Sequence, residues 1–203
     1  MNRPDWRRCI AFHGHVCPGI AIGYRAARGG LDLLDEARAA DEEIVAIVEN
    51  DACGTDAVQV LTGCTFGKGN FIFKDFGKQA FTFFSRSSGK GVRIVLRPEA
   101  LDTDERQQAL IQKIREEIAD ADEQAEYHQY HLNRTRKVLS MPFDILFKIE
   151  SVCVPLPEKA RIVSSARCDR CGEPVMSTML TDIDGQEVCR GCLETAGIGQ
   201  KEG

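Results

Sequence analysis

The sequence has no long apolar run, no extended block of like charge and no internal repeat. Its longest uncharged stretch, Cys9 to Tyr24, carries two His, three Gly and a Pro, and is too short and polar to cross a bilayer. Without a run of one charge there is no sign of a disordered acidic or basic tail. Basic residues are not in surplus: 26 Lys and Arg against 31 Asp and Glu leave a net charge of −5, which weighs against a nucleic-acid surface. The first eight residues are polar and charged and lack the apolar segment of a secretory signal. No G-x4-G-K-[ST], no Rossmann glycine pattern and no ferredoxin-like cysteine spacing occurs. Phosphate cradling, nicotinamide binding and an iron–sulfur cluster therefore have no sequence support.

Cysteine, by contrast, is plentiful. Nine thiols in a chain read as lacking an export signal predict a reducing compartment, the cytoplasm, where thiols bind metal or do redox chemistry. The odd number also argues against a full set of disulfides.

Helix signals start at Pro18 and stop at Gly29-Gly30; Ile44 to Val48 reads as a buried strand. Asp51 to Thr62 reads as a loop entering a helix ended by Gly63. Phe71 to Phe73, Ala80 to Phe84 and Val92 to Leu96, separated by turn residues, predict an antiparallel meander. Asp102 with Glu105 resembles a capping box before a helix through Leu110, Ile114 and Ile118. A second helix is expected from about Asp122 to Leu139, then a strand from Ile149 to Val154. The fold class is α+β, an antiparallel sheet flanked by helices, over residues 1–157. Pro155-Leu-Pro157 forms a stiff connector to a module at 158–203.

In that module Cys168-x2-Cys171 and Cys189-x2-Cys192 stand seventeen residues apart, close to the spacing of four-cysteine zinc sites. Two thiolates on each of two tight turns supply the four tetrahedral ligands that structural zinc prefers. A hairpin turning at Asp184-Gly185 and a helix starting at Cys192 give a zinc-ribbon or treble-clef shape. So small a segment cannot fold on its apolar area alone, whereas structural zinc contributes on the order of 10–16 kcal/mol in small peptides. Residues 160–203 hold five basic and seven acidic side chains, a balance suited to docking protein rather than nucleic acid.

The second concentration of chemistry is His13-Gly-His15-Val-Cys17-Pro-Gly19, three potential ligands within five residues. Mixed His and Cys favour zinc, nickel, copper or iron over magnesium or calcium. Cys17 directly precedes Pro18 and so falls at a helix N-terminus, where the dipole favours a thiolate. Asp51-Ala-Cys53-Gly-Thr-Asp56-Ala-Val-Gln59 follows the first strand, and Gly63-Cys64-Thr-Phe-Gly-Lys68-Gly69 adds a thiol and a lysine on a glycine-rich loop. Cys9 and Cys153 stand alone and read as packing residues. His128 and His131 share a helix face among Glu, Gln and Tyr and read as solvated surface.

These three segments, in this order, resemble the FmdE family, named for a component of formylmethanofuran dehydrogenase. Matching stretches are His13 to Gly30, Asp51 to Asn70 followed by Asp75-Phe-Gly-Lys78, and Met141-Pro-Phe-Asp-Ile-Leu-Phe-Lys148. The resemblance implies an α+β core, a tight homodimer, and a cleft where the His and Cys segments converge. It also implies association with a molybdenum or tungsten enzyme that interconverts formylmethanofuran and carbon dioxide. Carried onto this chain, it implies a core site at His15, Cys17 and Cys53 holding a second transition metal, zinc or nickel. His13 is a less direct donor, because residues two apart on an extended segment share a face without needing to reach one ion. Asp56, Gln59, Cys64 and Lys68 are implied as neighbours that orient ligands or contact a bound small molecule. Three function classes follow. The first is a dimeric metal-binding accessory protein. The second is a metalloenzyme acting on a small molecule, with Cys53, Asp56 or Lys68 as catalytic candidates. The third, disfavoured by charge, is a regulator using its zinc module on nucleic acid or polymerase.

Overall fold

The computed structural model describes residues 3–153, 155–159 and 163–195, which fall into two compact units divided between 159 and 160. Among the described residues no helix is long and apolar enough to cross a membrane.

The first unit opens with α1 (Pro4–His13), a helix absent from the sequence-based expectations although Pro4 and Asp5 mark its first turn. Then come α2 (Pro18–Leu34), β1 (Ile44–Val48), α3 (Gly54–Thr62), a 3-10 turn at Phe66–Lys68 and β2 (Phe71–Phe73). After them lie β3 (Ala80–Ser85), β4 (Gly91–Leu96), a 3-10 turn at Pro98–Leu101, α4 (Glu105–Arg115), α5 (Ala121–Ser140), α6 (Phe143–Leu146) and β5 (Phe147–Val152). The capping boxes are Asp104 with Gln107 on α4 and Asp120 with Glu123 on α5, so the first falls two residues later than expected.

The sheet order is β2-β1-β3-β4-β5. The last four strands pair antiparallel, but β2 lies parallel to β1, Ala46 facing Phe71 and Val48 facing Phe73. The expected meander of β2, β3 and β4 is thus corrected at its first member. The cause is the connection: α3 carries the chain back across the sheet, and a parallel pair needs such a crossover. Alternation along β1, β3 and β4 turns Ile44, Ala46, Val48, Phe81, Phe83, Val92 and Ile94 onto one face, where they pack with Ile20, Ala26 and Ala27 of α2.

Glycines set the approach of α2 to its neighbours. α2 runs through Gly29-Gly30 instead of stopping there, because tertiary packing overrides the local propensity. A Cβ at Gly29 would sit 2.1 Å from the Phe143 ring, and one at Gly30 would sit 2.3 Å from Phe83. Nearer the start of α2, a Cβ at Gly23 would lie 2.0 Å from the Gly54 carbonyl oxygen. That crossing brings the first turn of α3 against the first turns of α2.

The second unit holds β6 (Ser165–Arg167) paired with β7 (Pro174–Met176), a 3-10 turn at Ser177–Met179, β8 (Leu180–Ile183) paired with β9 (Gln186–Cys189), and α7 (Arg190–Thr195). The β8–β9 hairpin turns at Asp184 and Gly185, both at positive φ, 53° and 84°, as a type I′ turn requires.

Candidate metal centres

In the second unit the four cysteines converge. The sulfurs of Cys168, Cys171, Cys189 and Cys192 all lie within 4.8 Å of one another. Tetrahedral zinc with Zn–S bonds of about 2.3 Å would place its sulfurs about 3.8 Å apart. Cys168 and Cys192 are 4.0 Å apart and Cys171 and Cys189 are 3.9 Å apart, so the donor set fits one such ion. Cys168 starts a knuckle in which Gly172, at φ 74°, donates its N–H back to the Cys168 carbonyl at 2.8 Å. Backbone N–H groups, chiefly of Cys171 and Cys189, stabilise the Cys168 thiolate and bring its pKa down to about 6. Neighbouring sulfurs of Cys189 and Cys171 push Cys192 up to about 12, the like-charge repulsion that a cation would relieve. The arrangement of knuckle, hairpin and helix matches a small metal module.

The second group of donors lies in the first unit, where His13, His15, Cys17 and Cys53 also bring one ligand atom each within 4.8 Å of the others. α1 ends at His13, and Gly14 at φ 92° reverses the chain, its N–H capping Ile10 at 2.8 Å. Cys17 is the N-cap of α2: its sulfur accepts from the Ile20 N–H at 3.4 Å, where Ser or Asp more often sits. Cys53 immediately precedes α3 and is delivered by the Gly23–Gly54 crossing. Burial, and next the neighbouring Cys17, raise the Cys53 thiol above its ordinary range.

His13 is the donor that the sequence ranked last, yet the geometry orients it best. Its Nδ1 lies 2.7 Å from Asp56 Oδ2. A carboxylate only accepts, so Nδ1 carries the proton and Nε2 is left with a free lone pair. That Nε2 is 3.8 Å from Cys17 Sγ, near the roughly 3.6 Å expected for a nitrogen and a sulfur on one tetrahedral zinc. Carboxylate–histidine pairs of this kind fix ring orientation at metal sites. His15 is exposed and packs its ring 4.3 Å from that of His13.

Asp56 therefore stands behind the cluster as an orienting group. Gln59, Cys64 and Lys68 are separated from it. Gln59 lies a turn further along α3; Cys64 is fully buried with its thiol on the Ile44 carbonyl at 3.3 Å; Lys68 Nζ donates to the Asp41 carbonyl at 2.9 Å. None of the three lines the cavity described next. Cys9 is buried and its thiol is pushed up to about 11 by desolvation, as a packing residue should be. Cys153 is exposed, against the expectation that it packs.

A cavity of about 1150 Å³ opens onto His15, Cys17 and Cys53. Its opposite side includes His128 and His131, so the reading of these two as solvated surface is corrected. Loss of solvent, with Arg134 next in effect, holds His131 below the ordinary imidazole range. Asn50 is a further residue that sequence reasoning missed. Buried just before the Cys53 loop, it donates to the Lys78 carbonyl at 2.6 Å and accepts from Ala52 N at 3.0 Å. An Asn two residues ahead of a loop N–H was the available signal.

These features define a class: an α+β domain with a mixed His/Cys donor cluster beside a cavity, followed by a four-cysteine module. The chain belongs to the FmdE family, whose model, described as "FmdE, Molybdenum formylmethanofuran dehydrogenase operon", matches residues 12–148. It is 36% identical over 182 residues to a probable S-adenosyl-L-methionine-binding protein of Archaeoglobus fulgidus, covering 86% of this chain and 50% of that one. The chain thus spans about half the length of that curated relative. It is also similar to the crystal structure of an FmdE-like protein, of the tungsten formylmethanofuran dehydrogenase type, from Syntrophus aciditrophicus. That match has a TM-score of 0.62 and 25% identity, over 94% of this chain and 90% of the other.

Proposed function

We propose that the chain is a homodimeric metal-binding protein, cytoplasmic, that carries structural zinc on its C-terminal cysteines and a second transition ion, zinc or nickel, in the core. The observation that carries this reading is the His13–Asp56 pair: a carboxylate orients one imidazole toward three other donors drawn from separate segments. In the core, His13, Cys17 and Cys53 form the fixed part of the coordination shell. His15, exposed on the cavity wall, is the ligand that an incoming molecule displaces. The protein serves a molybdenum or tungsten oxidoreductase as an accessory; support for this comes from the family's operon association and the tungsten-enzyme relative. Exposed Phe66, Phe73 and Phe76, near the edge strand β2, support a homodimer.

A second reading, a metalloenzyme acting on a small molecule, is favoured by the cavity that reaches the donors. Asp56 is already engaged by His13 and Lys68 lies off the cavity, so Cys53 and His131 are the groups placed for chemistry there.

The test is metal content. Purified protein should hold two ions per chain, and Cys17→Ala should lose one while the other stays. Asp56→Asn should weaken the core ion about 10–100-fold in competition with a chelator. Equal metal in Cys17→Ala and the parent would overturn the core assignment. Sedimentation should give twice the 22.5 kDa chain mass. S-adenosyl-L-methionine, the ligand that names the archaeal relative, is titrated in parallel, and binding lost in Cys53→Ala would favour the enzymatic reading.

A further inference from the structure

The cavity has a second wall that a metal ion alone leaves without a use. α5 lines it with Tyr127, Tyr130, His131 and Arg134, and α4 adds Arg115. No Asp or Glu lines the cavity among the described residues, although acidic side chains outnumber basic ones, 31 to 26, over the whole chain. Arg28, Arg93, Arg106 and Arg190 each pair with a carboxylate. Arg115 and Arg134 have none among the described residues. Arg134 instead donates to the Tyr130 hydroxyl at 2.5 Å, its guanidinium 5.8 Å from that ring's centroid. The Tyr127 and His131 rings lie 4.3 Å apart, centroid to centroid.

Positive side chains gathered in a concavity raise the local concentration of anions, and a guanidinium matches carboxylate or phosphate with its planar fork. Aromatic rings beside it offer flat faces to an unsaturated ligand. A volume of about 1150 Å³ exceeds what an ion and its waters need and suits an organic molecule. We infer that the cavity binds a small planar organic anion, its carboxylate or phosphate at Arg115 and Arg134 and its ring against Tyr127, Tyr130 and His131. The far end of the ligand then reaches the wall of His15, Cys17 and Cys53. This deepens the metal-site reading and rests on it only for that far end.

Benzoate, benzamide and acetate serve as probes, titrated by ligand-observed NMR into full-length protein whose metal content is measured in the same preparation. Benzoate should bind about tenfold more tightly than either neutral benzamide or ringless acetate. The double variant Arg115→Gln/Arg134→Gln should bind benzoate and benzamide equally. Should the double variant fail to fold, Arg115→Gln alone, at an exposed position, should weaken benzoate about threefold and leave benzamide unchanged. Equal affinities for benzoate and benzamide in the parent would overturn the inference. So would benzoate binding that both variants leave intact, since the anion would then sit elsewhere. Cys17→Ala, stripped of the core ion, should retain the preference for benzoate. Failure of the metal reading shows in the metal analysis, failure of this one in the benzoate preference.

Discussion

The two donor clusters are equal in number of ligands and opposite in construction. The C-terminal four sit on backbone turns within twenty-five residues, and the short strands around them bury little: Cys168 and Val188 are the only buried hydrophobics of that unit among the described residues. The core four come from the end of α1, the start of α2 and the start of α3, elements held together by a continuous apolar core. A metal in the first case builds the fold; in the second, the fold builds the place for a metal. The second also opens onto a cavity lined by other side chains.

The largest effect should come from attacking the module. Cys171→Ser, or a strong zinc chelator, should remove its ion and with it the order of residues beyond about 160, because binding and folding are one event there. Hydrogen exchange should rise across β6 to α7 and stay unchanged in β1, β3 and β4. Loss of protection in both units would erase the contrast.

Gly23→Ala attacks the other side. The added methyl meets the Gly54 backbone at 2.0 Å, which cannot swing away as a side chain would. About 3 kcal/mol of core stability should be lost in urea titration. Because the same crossing delivers Cys53 to Cys17, the core ion should weaken while the C-terminal zinc remains.

How much of this is legible in the sequence follows the same division. The module can be read from spacing alone, since neighbours along the chain are the ligands and Asp184-Gly185 dictates its turn. The core cluster is legible as motifs but not as geometry. His13 ranks behind His15 in the sequence because distance along the chain cannot show that α3 swings Asp56 behind it. Gln59, Cys64 and Lys68 follow the motifs in order yet lie away from the cavity, because α3 carries them toward the opposite end. Gly29-Gly30 reads as a stop because the Phe143 and Phe83 rings that need those bare positions lie over fifty residues downstream. His131 reads as surface because the cavity it lines exists only once α5 lies beside α2.

The smallest effect sharpens what packing does without metal. Glu49, buried after β1, takes two hydrogen bonds from Arg93 at 2.7 and 3.0 Å, and Arg93 also reaches Glu150 at 3.2 Å. Arg93 holds the Glu49 carboxyl below its ordinary value of 4.5. A lowered acid stabilises the fold above its unfolded value and loses that contribution as pH falls through its folded value. Glu49→Gln should therefore cost about 1.5 kcal/mol at pH 7, and the gap to the parent should close below pH 4.5. A gap of constant size from pH 7 to pH 3 would contradict the assignment. The metal content of both units should be unaffected.

The order of the elements has a consequence for synthesis. All four core donors are encoded by residue 53, whereas the α5 wall of the cavity begins at Ala121. A chain emerging from the ribosome N-terminus first offers its ligands to solvent before the helix that covers them exists. Ion loading can thus precede closure, and the docking of α5 would trap whatever the nascent chain has already captured.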